Sequence, residues 1–385
     1  MHVVHWYPNF LAGGGVANSV QALATAQARA GASIWIASLS NDAPIYGALT
    51  PVNGVRIATW DGTRQVGRGT VRLHLLDRAS SRALADLHPD VVHVHAEFNP
   101  DNWWAPRLWK CPLVLTPHGA YHPSVMARGT RWKRGYIAVA RRLLYRHVSR
   151  FHGLSPAEQR DISAALPKAR TFYVPQGPSP AVQNAMCHQR DHQTDVGPIS
   201  FMFIGRIDVR TKGLDVLVEA FGRAVLARAE PASLTLVGPD WHNGIASLRR
   251  LADQLGVGAL VHIRDRVAHE DVPTLLQSCD VYVQLSRNES SPLSLNDALV
   301  LGKPVIVSDR VGTVSCEEIV RMPHVKVVSP CVSEAASAIA GALDNLHGLR
   351  RAALSARSEL RDFLSWGRAA RQHLDEYESL LVEKD

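Results

Sequence analysis

The chain of 385 residues has no run of eighteen or more apolar residues, which excludes a membrane-spanning helix on length alone. Its opening residues, Met1-His2-Val3-Val4-His5-Trp6, lack the basic and long apolar stretches of a secretory leader, so a cytoplasmic protein is expected. Cysteine is sparse. Cys111, Cys187, Cys279, Cys316 and Cys331 are odd in number and include no CxxC pair, so neither a disulfide framework nor a zinc knuckle is expected. Acids are missing from one long stretch: "MARGTRWKRGYIAVARRLLYRHVSR", Met126 to Arg150, holds no Asp or Glu.

What the chain does have is length enough for two cores. Domains run to about 100 to 200 residues, so 385 residues predict two. Positive charge is concentrated in the first half. Residues 1–180 carry 20 Lys and Arg against 9 Asp and Glu, net +11; the rest carry 22 against 26, net −4, which together make the formal +7. In the acid-free stretch, cations fall at 128, 131, 133, 134, 141, 142, 146 and 150, and apolar residues at 136, 137, 139, 140, 143, 144 and 148 recur near helical spacing. Two uses fit such a helix. It is solvated and docked on its own domain, which composition favours, or the segment Arg128 to Arg150 rests on an anionic membrane surface. No nucleic acid partner is expected, because the tract has few aromatic platforms and no reader motif.

Short hydrophobic runs alternate with helical patterns throughout: Val91 to Val94, Leu113 to Thr116 and Thr171 to Val174, then Ile199 to Ile204, Ser233 to Val237, Val281 to Leu285 and Pro304 to Val307. This alternation predicts an α/β chain of two doubly wound domains with parallel sheets and a cleft between them, with ligands outside the carboxyl ends of the strands. The polar, Pro- and Gly-containing stretch between the two series reads as a linker. The last segment, with Phe363, Trp366, Ala370, Leu374, Tyr377 and Leu381 at spacings of three and four, reads as an amphipathic helix.

Three stretches could carry chemistry. Gly13-Gly14-Gly15 precede a helix with Val16, Val20, Leu23 and Ala24 on one face; such glycines admit a ligand to the backbone, and the free N–H groups of a first turn favour an anion. A dinucleotide fingerprint is a poor match, since its third glycine would fall on Asn18, and a flexible turn is an equal alternative. "FMFIGRIDVRTKGLDVLVEAF" is a strand, a loop bearing Arg206, Asp208, Arg210 and Lys212, and a helix; its cations suit a diphosphate, although Asp208 can pair with them instead. In "NESSPLSLNDALVLGKPVIVSD", Ser291-Pro292 reads as the N-cap and first residue of a helix. Glu289 then projects from a strand end and Asp297 presents a second carboxylate from the helix, with the N–H groups of Leu293 and Ser294 between them for an anion. Two acids around an anion site suit a sugar nucleotide; an exposed loop acid and a helix-compatible Asp are the plainer alternative.

These stretches, with "PDVVHVHAEF", "TPHGAY" and "LTLVGPD", run nearly end to end along a chain that resembles the retaining family-4 glycosyltransferases of the GT-B fold. The resemblance implies an acceptor-side domain at 1–178, a linker at 179–198, a nucleotide-sugar domain at 199–360 and a helix at 361–385 packing back toward the first domain. It implies that Arg206 and Lys212 bind the donor diphosphate, that Gly14 and Gly15 approach it, that Glu289 contacts the sugar and Asp297 the ribose, and that His118 reaches the sugar or its phosphate. Arg266 and Val267 would lie on the donor beside the base. His93 and His95 read as strand structure rather than a metal pair.

Three departures stand out: Asp297 where the family has Glu, Ser290-Ser291-Pro292 where Gly-Phe-Gly is common, and Asp265 where glycine is usual. The implied activity is transfer of a hexosyl group from a nucleotide-diphosphate sugar to an acceptor hydroxyl, without metal or cofactor, in surface polysaccharide or lipid-linked glycan synthesis. Glu289, His118, Arg206 and Lys212 would carry it. A nucleotide-sugar epimerase and a non-catalytic nucleotide-sugar binding protein are the alternatives.

Overall fold

The computed structural model describes residues 1–40, 54–61, 64–68, 71–186, 197–226, 228 and 231–383. It divides into two compact units, Met1–Gly177 with Ser365–Asp385, and Pro178–Leu364. In the first unit, β1 (His2–Trp6), β2 (Ser33–Leu39), β3 (Val55–Trp60), β6 (Val91–His95), β7 (Leu113–Thr116), β8 (Val148–Gly153) and β9 (Thr171–Tyr173) form one sheet in the order β3-β2-β1-β6-β7-β8-β9. Every pairing in it is parallel. A separate antiparallel hairpin joins β4 (Gln65–Arg68) to β5 (Val71–His74).

The second unit has β10 (Ile199–Ile204), β11 (Ala232–Val237), β12 (Val261–Arg264), β13 (Val281–Gln284), β14 (Val305–Ser308) and β15 (Val325–Val328) in the order β12-β11-β10-β13-β14-β15. All five pairings are parallel. Its strands are mostly apolar because both faces are covered, and side chains alternate between the faces. Phe201 and Phe203 pack into one core with Leu234, Leu236, Val281 and Val283. Met202 and Ile204, their neighbours in sequence, pack into the other with Val237, Tyr282, Val305 and Val307. All seven runs read as strands from the sequence are strands here.

Two boundaries differ from the sequence reading. Within 179–198, residues Pro180–Ala185 form a helix rather than a linker: Ser179 accepts a hydrogen bond from Val182 N, and Val182 is buried in the second core. Residues 187–196 of that stretch lie outside the described residues. The terminal helix runs Trp366–Val382, capped by Ser365. It packs on the helix Gly15–Arg29, whereas residues 361–364 close the helix Leu346–Phe363 of the second unit.

The basic segment forms the helix Thr130–Leu143. Tyr136, Ala140 and, just beyond it, Leu144 are buried in the first unit, while Arg131, Arg134, Arg141 and Arg142 are exposed. Lys133 faces inward: its ammonium donates to Val125 O and lies 5.3 Å from the Phe98 ring. The helix is therefore docked on its own unit with a cationic face outward. Among the described residues no helix is long and apolar enough to cross a membrane.

Candidate active site

In the second unit the strand order reverses between β10 and β13, so the loops leaving these neighbours diverge and open a crevice at their carboxyl ends. Arg206 and Lys212 follow β10, and Glu289 follows β13. Asp208 caps the short helix Val209–Lys212 by accepting from Thr211 N at 3.1 Å, and it lies 3.6 Å from the Arg206 guanidinium. That guanidinium stacks over the Trp241 ring with 4.5 Å between them. Lys212 and Glu289, largely buried, form an ion pair. The Glu289 backbone is held too: its N–H donates to Arg310 O at 3.3 Å and its carbonyl accepts from Gly312 N at 2.9 Å.

Two residues that the sequence reading passed over fasten these loops together. Arg287 donates to both Asp215 oxygens, from Nη1 at 2.8 Å and Nη2 at 2.9 Å, and Nη1 also donates to Arg210 O at 2.9 Å. Gly213 adopts φ +64, and a Cβ there would meet Leu285 O at 2.1 Å, so only glycine lets the helix start press against the end of β13. The Arg287–Asp215 pair is written in the sequence as two unlike charges, with nothing local to join them.

The helix after Glu289 differs from expectation. It spans Leu293–Val300 with Pro292, not Ser291, at the N-cap and no side-chain cap, because Ser291 Oγ is engaged with Thr313 Oγ1 at 3.2 Å. Its first helical bond is from Asn296 N to Pro292 O, so the helix itself makes no use of the N–H groups of Leu293 and Ser294. Ser294 Oγ accepts from Tyr282 OH at 2.8 Å.

Asp297 is buried, and its Oδ1 accepts from Ser179 N at 2.6 Å, a partner that the sequence does not announce. Burial pushes its carboxyl up to about 7 despite that hydrogen bond. After β12, Arg266 is exposed and donates its N–H to Asp265 Oδ1 at 2.6 Å, while Val267 packs on the second core.

In the first unit Gly14 is the N-cap of the helix Gly15–Arg29, at φ 93, and its carbonyl accepts from Asn18 N at 3.0 Å. His118 follows β7 with φ 53, the left-handed region that non-glycine residues seldom occupy. Buried Glu158, another residue the sequence reading missed, holds this loop by accepting from Gly119 N and from Leu154 N. His95 and His118 approach to 3.3 Å, and burial pushes the His118 imidazole down to about 4. A separate cavity of about 960 Å³, lined by Lys110, Arg141, Arg146, Lys168 and Arg170, opens at the amino ends of β7 to β9, away from His118.

Comparison with known proteins bears on both units. Residues 198–346 match the family described as Glycosyl transferases group 1, and residues 14–177 match the Glycosyl transferase 4-like domain. The D-inositol 3-phosphate glycosyltransferase of Mycobacterium tuberculosis is 27% identical over 240 residues, a match covering 57% of this chain and 47% of that protein, so this chain spans about half the length of the curated relatives it matches. Among solved structures, sucrose-phosphate synthase from Thermosynechococcus elongatus superposes with a TM-score of 0.73 at 19% identity, covering 99% of each chain. Anabaena HepE in complex with UDP and glucose superposes with a TM-score of 0.71 at 16% identity, covering 98% of this chain and 100% of that one. WaaG, a glycosyltransferase involved in lipopolysaccharide biosynthesis, gives 0.66 at 16% identity, covering 98% and 99%. These likenesses establish the GT-B fold, two parallel-sheet Rossmann-like units.

Proposed function

Because the chain belongs to the group 1 glycosyl transferases, we propose that it moves a hexosyl group from a nucleotide-diphosphate sugar to an acceptor hydroxyl with retention of anomeric configuration. The observation that carries the reading is the convergence of Arg206, Lys212 and Glu289 on the carboxyl ends of two adjacent strands at a topological switch point. Anabaena HepE is described in complex with UDP-glucose, which makes that compound the first donor to test.

The bond to break joins the anomeric carbon to a phosphate oxygen, and charge develops on the departing diphosphate. Arg206, fixed by its stack on Trp241, and Lys212 supply preorganised positive charge there, and the Leu293 and Ser294 amides add donors. That charge serves in place of a metal ion. As the acceptor oxygen bonds to the anomeric carbon on the same face, its proton passes to the leaving phosphate oxygen. Glu289, paired with Lys212 in this structure, is released to accept sugar hydroxyls once the diphosphate gives Lys212 a second anion. His118 and the Gly14–Gly15 backbone are assigned to the same donor, Arg266 and Val267 to its base.

Asp297 anchors residues 178–182 through the Ser179 N–H on its Oδ1, and its second oxygen is assigned to a ribose hydroxyl. For the acceptor, the exposed arginines of Thr130–Leu143 suit an anionic membrane carrying a lipid-linked glycan. The test incubates the purified protein with a panel of nucleotide sugars, UDP-glucose first, with and without lipid-linked acceptors, read by mass spectrometry. Acceptor-dependent release of nucleoside diphosphate supports transfer. Sugar interconversion would mean an epimerase, and binding alone a non-catalytic module.

A further inference from the structure

Behind His118 lies a chain of buried polar side chains whose proton directions can be deduced from one end. His152 Nε2 is 3.0 Å from Val174 O, and a carbonyl only accepts, so this nitrogen carries the proton and Nδ1 is bare. Thr116 Oγ1, 2.8 Å from that bare Nδ1, must donate to it and therefore accepts from His93 Nε2 at 2.6 Å. His93 Nδ1 is then bare and takes the Tyr377 phenol proton at 2.6 Å. The Tyr377 oxygen accepts from Gln27 Nε2 at 3.4 Å, which turns Gln27 Oε1 toward His5 Nε2 at 2.7 Å. His5 donates there and accepts at Nδ1 from His95 Nε2 at 2.9 Å. His95 Nδ1 in turn can only accept, so His118 Nε2, at 3.3 Å, carries the proton.

We propose that this chain is a positioning device, with Gln27 as its joint, that holds His118 as the neutral tautomer protonated at Nε2, so that the nitrogen left for a ligand, Nδ1, can only accept. Several observations support it independently. Every link from Val174 to His118 is donor-to-acceptor, and all of its residues lie in the first unit; beside the chain, His373, whose Nδ1 donates to Ala369 O at 2.7 Å, brings a bare Nε2 only to 3.4 Å from His152 Nδ1. Burial keeps the five imidazoles neutral, His5 and His118 at about 4 and the other three lower than usual. Among the described residues nothing hydrogen-bonds His118 Nδ1, and that atom is not among the buried unpaired nitrogens. His5, His93 and His95 also offer nitrogens within 4.8 Å of one another, the spacing of a metal ligand set. The chain accounts for them otherwise: the Nε2 atoms of all three carry protons committed to neighbours, and their Nδ1 lone pairs are each filled by one.

An acceptor-only Nδ1 meets a ligand hydroxyl and cannot donate to a phosphate oxygen, a consequence that rests on the transferase reading only for the nature of the ligand. The primary test is nitrogen-15 NMR of histidine-labelled protein at pH 7.5 without ligand. His118 should show a protonated Nε2 and a bare Nδ1; the opposite tautomer or an imidazolium overturns the proposal. Gln27→Met removes the joint and frees His5 and His95 to reverse, so the second tautomer of His118 should appear; an unchanged tautomer would show that the chain does not set it. Calorimetry with UDP alone supplies the ligand arm. His118→Ala should leave UDP affinity within about twofold while turnover falls at least tenfold, and a tenfold loss of UDP affinity would mean that His118 donates to phosphate after all. The NMR outcome does not depend on any donor, so failure of the transferase reading and failure of the chain are told apart.

Discussion

Replacing Asp297 by Asn should make the protein more stable at neutral pH and flatten its dependence on pH. The carboxyl is buried and its affinity for a proton is raised from an ordinary 3.8 to about 7. A raised folded-state value means that the native state holds the proton while the unfolded chain has already lost it. The favourable contribution is complete below pH 3.8 and is lost as pH climbs to about 7, after which it stays lost. At 1.36 kcal/mol per unit, a shift of about three units corresponds to roughly 4 kcal/mol at pH 8, an upper figure, since water penetration and relaxation reduce it. Asparagine carries no charge and its carbonyl can still accept from Ser179 N, so most of that cost should vanish. Urea unfolding at pH 5, 6, 7 and 8 measures it. The variant should gain about 1 to 4 kcal/mol over the parent at pH 8 and about a third of that at pH 5. Parallel curves for the two proteins across this range would refute the buried, proton-holding carboxyl.

The remaining predictions concern the loops and the surface. Lys212→Ala should weaken UDP binding by tenfold or more, as loss of a charge-assisted contact of about 1.5 to 3 kcal/mol implies, and Glu289→Ala should lower turnover more than tenfold while UDP binding holds; unchanged activity in a folded variant removes that residue from the mechanism. Arg287→Ala should reduce turnover by freeing the Glu289 loop, with a stability loss of about 1 kcal/mol or less because the pair is part-exposed; equal turnover would mean that the loop needs no such clamp. Binding to vesicles with anionic lipid should fall as salt rises and again when Arg131, Arg134, Arg141 and Arg142 are changed to Glu. Indifference to lipid charge would remove the membrane from the account.

How much of this was legible depended on range. The strands were, because Ile199–Ile204 or Val281–Gln284 must be largely apolar on both faces to sit between two cores, and that is visible in a single segment. The cations near a strand end were legible for the same reason, since strand, loop and helix follow one another. The orientation of Asp297 was not. An amphipathic argument needs an exposed face, and residues 295–300 are all buried, so helical phase cannot say which neighbour each side chain meets. The Arg206–Trp241 stack and the Arg287–Asp215 clamp join residues far apart along the chain, and neither leaves a local trace.

By itself, then, the order of residues determined the alternation of strands and helices, the two-unit plan, the uneven charge and the position of Arg206, Lys212 and Glu289 at strand ends, because each follows from periodicity and spacing within one stretch. Only the tertiary structure decided that Asp297 turns to Ser179, that Glu289 grips Lys212, and that imidazoles drawn from three separate strands line up behind His118. Burial and hydrogen-bond partners are properties of what the folded chain brings alongside a residue, and those neighbours come from distant parts of the sequence.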